Sequence, residues 1–261
     1  MSDEGGSEYQ DYPEQGFRIE YRDASHRYWG LIGERREPWV SVTGALNILD
    51  KPNLIRWAGR VDSEAVLELE RQGMLEGRTV DEAHRIMREH GMGAEAKRNA
   101  GATRGTAVHD ALAAYCMTGK IPQLADLSDE ARGYVQAVAD WLIELAPEPI
   151  LSEQIVGSPT HGFAGRFDLI CAIEGQRCLV DLKTSAKPYP EMHIQLAGYQ
   201  RAFQECGIEP VDKAYIVTVA EDGTWQMTEG RAKAEDFLAV LGANRALSGV
   251  RKAVKAAERA A

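Results

Sequence analysis

Residues 178–185 read CLVDLKTS, and the two polar positions in that run are the strongest constraint in the chain. Cys178, Leu179, Val180 and Leu182 suit the inside of a sheet, whereas Asp181 and Lys183 do not. Side chains two apart in a strand share a face, so the acid and the lysine emerge side by side near the strand's end. Just upstream, Glu174-Gly175 has the composition of a two-residue hairpin loop. Such a loop pairs residues whose numbers sum to 349, the sum of 174 and 175. Asp168 then lies directly across from Asp181, and Cys171 across from Cys178 on the other face. Opposed carboxylates repel, and in a half-buried sheet they need a cation between them. Lys183 is one candidate and a divalent metal is another. A neutralised ion pair is the plainer reading of DLK taken alone, and a longer loop would change the register. The facing cysteines read as core thiols.

The chain has two textures. After Phe17, FRIEYR and HRYWGLI predict a short hairpin turning at Asp23-Ala24-Ser25. Helical structure begins in PWVSVTGALNILD, with Ser41 or Thr43 as cap, and continues through PNLIRWAGRVDSEAVLELERQG to Gly73. TVDEAHRIMREHG predicts another helix, capped by Thr79 or Asp81 and closed by Gly91. Helical periodicity runs from Ala94 to Cys116, interrupted at AGATRGT, and SDEARGYVQAVADWLIEL is a further helix. From Pro147 the pattern is of strands: PILSEQIVGSP, GFAGRFDLICAI and RCLVDLKTS read as three in succession. PEMHIQLAGYQRAFQECG is a helix, KAYIVTVA and TWQMTEG are strands about Glu221-Asp222-Gly223, and the remainder is helical. This predicts an α/β fold with a helical N-terminal half and one mixed central sheet flanked by helices. The expected organisation is an acidic, disordered tail over residues 1–16 and a single domain over 17–261. Within it, 17–93 are hairpin and helices, 94–230 the core and 231–261 a C-terminal helix.

Three further groups carry polar chemistry. In TRGTAVHDAL, Gly105 stands one helical turn before His109, which lets a backbone or ligand approach the imidazole. Gln195 and Tyr199 are spaced i, i+4 on the helix after the lysine strand and can hydrogen-bond phosphate oxygens. Glu153 falls in the strand before Asp168 and reads as a solvated glutamate or a further acid of the site.

RGTAVH, GRFD, DLK followed by Thr184, and QLAGY, in this order, resemble the PD-(D/E)XK nucleases, and more closely their RecB-type branch. WVSVTGALNILDKPNLIRWA is similar to the N-terminal segment of phage and bacterial exonuclease-like members. The resemblance implies a restriction-endonuclease-like core and phosphodiester hydrolysis with Mg²⁺ or Mn²⁺. It implies metal ligation by His109, Asp168, Asp181 and the backbone carbonyl of Leu182, with Lys183 as the catalytic lysine. Glu153 is a further catalytic acid, and Gln195, Tyr199, Thr184 and Arg104 are DNA contacts. Some relatives hold an iron–sulfur cluster, but Cys116, Cys171, Cys178 and Cys206 lack the spacing, so no cluster is expected. A DNA exonuclease acting in recombination, repair or phage replication is the first reading. A structure-specific or nicking endonuclease and a catalytically silent DNA-binding subunit are the alternatives. The implied partners are linear or single-stranded DNA ends, with a single-strand annealing or binding protein as a candidate.

Charge limits the mode of binding. The net charge of −10 argues against strong, indiscriminate DNA affinity. Five acids and no Lys or Arg lie in residues 1–16, whereas residues 231–261 carry seven basic and three acidic side chains. No apolar run approaches a membrane span, the N-terminus lacks a secretory pattern, and the cysteine usage suits a reducing compartment. The expected location is the cytoplasm of a bacterial or phage-infected cell.

Overall fold

The computed structural model describes residues 6–121, 123–124 and 127–260. The chain divides into two compact units, Met1–Leu49 with Val108–Ala261, and Asp50–Ala107. The sequence-based expectation was a single domain over 17–261.

The larger unit holds two sheets where one was expected. The first contains β1 (Ser7–Tyr12), β2 (Phe17–Arg22), β3 (Arg27–Ile32) and β4 (Arg35–Ser41), paired antiparallel in sequence. It continues from β4 to β7 (Phe163–Arg166), in parallel, and ends at β6 (Ile155–Ser158). The second runs β11 (Trp225–Glu229), β10 (Lys213–Val219), β9 (Gln176–Lys183), β8 (Leu169–Ile173), β5 (Glu148–Ser152). It is mixed: β9 and β10 are parallel and joined through α6 (Pro190–Cys206), while the other pairs are antiparallel. The β8–β9 register is the expected one, with Leu169 facing Val180 and Cys171 facing Cys178.

Two stretches read as single strands are each broken. PILSEQIVGSP forms β5 and β6, and GFAGRFDLICAI forms β7 and β8, each pair divided between the two sheets. Ser152 pairs with Leu169 on one side of the break and Ile155 with Arg166 on the other. Between them, the Glu153 N–H donates to the Asp168 carbonyl at 3.0 Å, and the Phe167 N–H to the Gln154 carbonyl at 3.2 Å. Glu153 takes a left-handed φ of 52° to make the turn. A long hairpin thus bends from one sheet into the other at residues 153–154 and 167–168. Unbroken apolar alternation conceals such a bend, because both halves remain buried.

The acidic tail is also corrected. Ser7–Tyr12 pairs with β2 along its length, and Tyr12 is buried against Phe17, its hydroxyl donating to the Ile155 carbonyl at 2.5 Å. Asp11 pairs with Arg18 and Glu8 with Arg166, so charges that suggested disorder are neutralised locally. Residues 1–5 of that expectation lie outside the described residues.

Large side chains lock α6 onto the first sheet. Phe167 and Phe203 meet edge-on at 5.2 Å, and Phe163 meets Phe237 of α7 (Ala234–Ala260) at 4.8 Å. Gly198 lets Phe237 approach α6: a Cβ there would lie 2.9 Å from its ring. Short helix α1 (Val42–Ala45) starts at Ser41, whose hydroxyl accepts from the Gly44 N–H. Helix α5 (Asp129–Leu145) packs against β10 and β11 and buries Trp141 and Leu142.

The smaller unit contains α2 (Pro52–Arg71), α3 (Val80–Glu89) and the first part of α4 (Gly93–Thr118). Ala65, Leu69 and Met87 form its core, and Thr79 with Glu82 makes a reciprocal capping box on α3. Helix α4 is continuous, so the expected interruption at AGATRGT is absent. Among the described residues, no helix is long and apolar enough to cross a membrane.

Candidate active site

The bend between the sheets exposes one carboxylate and fixes another. His109, on the part of α4 in the larger unit, places Nδ1 3.5 Å from Asp168 Oδ1 and 3.8 Å from Glu153 Oε1. One ligand atom from each of the three lies within 4.8 Å of the others. Asp168 is aimed by the backbone. Its Oδ2 accepts from the Leu182 N–H at 2.7 Å, which turns Oδ1 toward the imidazole. Leu169–Val180 is the last pair of the β8–β9 ladder, so Leu182, beyond it, can offer its N–H to a side chain. Glu153 is held in its left-handed conformation from both ends, since Arg166 Nη1 also donates to its carbonyl at 3.1 Å. The side chains of His109 and Glu153 are about one-third exposed, at 34% and 33%, so the cluster opens to solvent.

Burial by itself lowers the affinity of His109 for a proton. The bond to Glu153 and the charge of Asp168 outweigh it, and the net shift is upward. The same negative field suits a cation. One imidazole nitrogen and two carboxylates form a donor set for a hard divalent ion, with the nitrogen favouring Mn²⁺ somewhat over Mg²⁺. Metal binding there requires the neutral imidazole and releases its proton.

Asp181 stands apart from that cluster. It is fully buried, with Lys183 Nζ 2.6 Å from Oδ2 and Gln195 Nε2 donating to Oδ1 at 3.0 Å. Burial pushes its carboxyl up, Lys183 opposes the shift, and Asp168 adds to it; the net direction is upward. Burial pulls Lys183 down, but Asp181 and Asp168 more than compensate, so the ammonium stays charged. Leu179 and Asp181 share the face of β9 covered by α6, which is why the acid is sealed rather than open to water.

Several expectations change here. Of the expected ligands, His109 and Asp168 gather their ligand atoms with Glu153, while the oxygens of Asp181 face Lys183 and Gln195. The Leu182 N–H holds Asp168 in place. Glu153 lies between strands, not within one. Gln195 and Tyr199 are buried, and the Gln195 amide donates to both Asp181 and the Tyr199 hydroxyl, at 3.0 Å each. They brace the Asp181 carboxylate. Thr184 directly follows β9 and is half-buried. Arg104 belongs to the part of α4 in the other unit.

Arg166 was not foreseen. Its guanidinium bonds the Glu153 carbonyl, pairs with Glu8 and lies over the Tyr21 ring, 5.6 Å from its centroid. The available signal was its place two residues before Asp168 in GRFD.

A family model described as the PD-(D/E)XK nuclease superfamily matches residues 81–259. No curated protein matches the chain. Among solved structures, an alkaline exonuclease (LHK-Exo) from Laribacter hongkongensis is 16% identical, with a TM-score of 0.35 over 64% of this chain and 88% of that one. The same exonuclease in complex with dAMP is 19% identical, with a TM-score of 0.34 over 60% and 86%. SSO0001 is 16% identical, with a TM-score of 0.30 over 44% of this chain, and the match spans 57% of its length.

Proposed function

The chain belongs to the PD-(D/E)XK nuclease superfamily, and from that premise we propose that it is a divalent-metal-dependent DNA exonuclease hydrolysing phosphodiester bonds. The observation that carries the reading is the convergence of His109, Glu153 and Asp168 beside the Asp181–Lys183 pair. The exonuclease part rests on the four ordered motifs and the RecB-type resemblance.

His109, Glu153 and Asp168 would hold Mg²⁺ or Mn²⁺, with Asp181 and the Leu182 carbonyl as further ligands by family pattern. Bound there, the cation would polarise a phosphate oxygen and lower the pKa of a bound water. Lys183 keeps its proton and therefore serves as a fixed positive charge. It orients the attacking water and stabilises negative charge growing on the phosphate. Asp181 holds that ammonium in place, and Gln195 with Tyr199 holds Asp181. Leu182 keeps Asp168 pointed at the cluster. Thr184 and Arg104 remain the proposed strand contacts.

The test compares linear with closed circular DNA in Mn²⁺. Loss of the linear form alone supports an exonuclease. Nicking of circles replaces it by an endonuclease, and cleavage of neither by a silent binding subunit.

A further inference from the structure

A polar cavity of about 510 Å³ adjoins the cluster, lined among others by Glu8, Tyr21, Asp23, Glu153 and Arg166. It shares Glu153 with the candidate site, so whatever fills it lies against the reacting centre. Among the described residues lining it, the basic one is Arg166, whose side chain is only 28% exposed. The guanidinium is set from below by the Glu153 carbonyl and from the side by Tyr21. A planar guanidinium held in this way matches carboxylate and phosphate oxygens alike. Glu8 now occupies it. Glu8 comes from β1, an edge strand whose Ser7, Glu8 and Tyr9 are exposed, and whose buried anchor, Tyr12, is at the far end. A half-exposed pair of this kind adds little stability and exchanges readily for another anion.

We propose that Arg166 binds a backbone phosphate of the nucleic acid next to the scissile bond, and that Glu8 holds its place in the free protein. This rests on the nuclease reading above. Glu153 and Asp23 also face the cavity, so the phosphate enters when a divalent cation offsets their charge. The Glu8 carboxylate then swings out with the end of β1, and no covalent step is involved.

The experiment measures KM on linear DNA in Mn²⁺, and Kd for the same DNA in Ca²⁺, for wild type, Arg166→Gln, Arg166→Lys, Glu8→Gln and the double variant. Glu14→Gln, an acid in the turn after β1, controls for general electrostatics. Arg166→Gln should weaken binding about tenfold, the equivalent of one charge-assisted hydrogen bond. It should also lower the salt slope of binding by about one. Arg166→Lys should recover part of the loss. Glu8→Gln should tighten binding about threefold, the smaller effect expected of a half-exposed pair. Glu14→Gln should do nothing, and the Glu8→Gln gain should vanish in the double variant. A mere structural staple would move Glu8→Gln and Arg166→Gln in the same direction, with matching losses of melting temperature, and would overturn the inference. So would a Glu8→Gln gain that persists without Arg166. A wild type that cleaves DNA with no Arg166 effect defeats this inference alone. A wild type that neither binds nor cleaves DNA defeats the nuclease reading and this inference with it.

Discussion

The Glu153 N–H donates to the Asp168 carbonyl at 3.0 Å, and this backbone bond places two carboxylates side by side where one sheet bends into the other. Their mutual repulsion is tolerated because His109 faces both. The left-handed Glu153 backbone adds a cost of about 1–3 kcal/mol, characteristic of functional positions. Glu153→Gly should therefore keep or raise the melting temperature while abolishing cleavage. Glu153→Gln, which retains the backbone cost, should abolish cleavage without the rise. Thermal melts beside a nuclease assay check both, and a destabilised glycine variant would show that the conformation carries no strain.

Metal should stiffen the cluster, since its ligands come from a helix and from the bend between two sheets. Mn²⁺ should raise the melting temperature of the wild type, by an amount that grows with the logarithm of its concentration above the dissociation constant. His109→Ala should lose most of that rise and most of the activity, and should lower the metal-free melting temperature somewhat by leaving Glu153 and Asp168 unopposed. A wild-type Mn²⁺ shift and wild-type cleavage in this variant would make the histidine a bystander.

Asp181 should set a pH dependence of its own. Its carboxyl is pushed up to about 6 by burial, so the folded state holds a proton that the unfolded chain releases near the ordinary carboxylate value of about 4. Between those values the folded form binds more protons, and stability falls as pH rises. Asp181→Asn removes that loss and keeps an oxygen for Gln195. The variant should melt level with or above the wild type at pH 7, and its advantage should shrink as pH falls from about 6 to about 4. A variant melting well below the wild type at pH 7 would mean that the Lys183 pair outweighs the burial cost.

Gly165 links packing to chemistry. A Cβ there would lie 2.9 Å from both Tyr199 Cε1 and Val42 Cγ2. Gly165→Ala should cost about 1–3 kcal/mol, as overpacking does. Pushing Tyr199 also disturbs Gln195 and, through it, Asp181. Cleavage should fall more than the loss of folded protein accounts for. An alanine variant of normal stability and rate would show that Tyr199 yields freely.

Local chemistry was enough for much of this protein. The Glu174-Gly175 loop, a matter of two residues, set the β8–β9 register and so the proximity of Asp168 to Asp181 and of Cys171 to Cys178. Ser41 and Thr79 were legible as caps because a cap is a contact within one turn. Helix α6 and its Gln195–Tyr199 spacing were legible for the same reason. The tertiary structure alone decided what depends on distant partners. Whether 148–158 and 163–173 stay in one sheet or cross into a second is set by packing on both sides of the bend, and apolar alternation reads the same either way. That crossing made Glu153 the neighbour of His109 and Asp168, while the covering helix sealed Asp181 against Lys183 and Gln195. The acidic N-terminus is a strand paired with β2 and anchored by Tyr12, and Arg18 and Arg166 lie against its charges. Of these, Arg166 lies 158 residues from Glu8, a separation at which sequence carries no signal of contact.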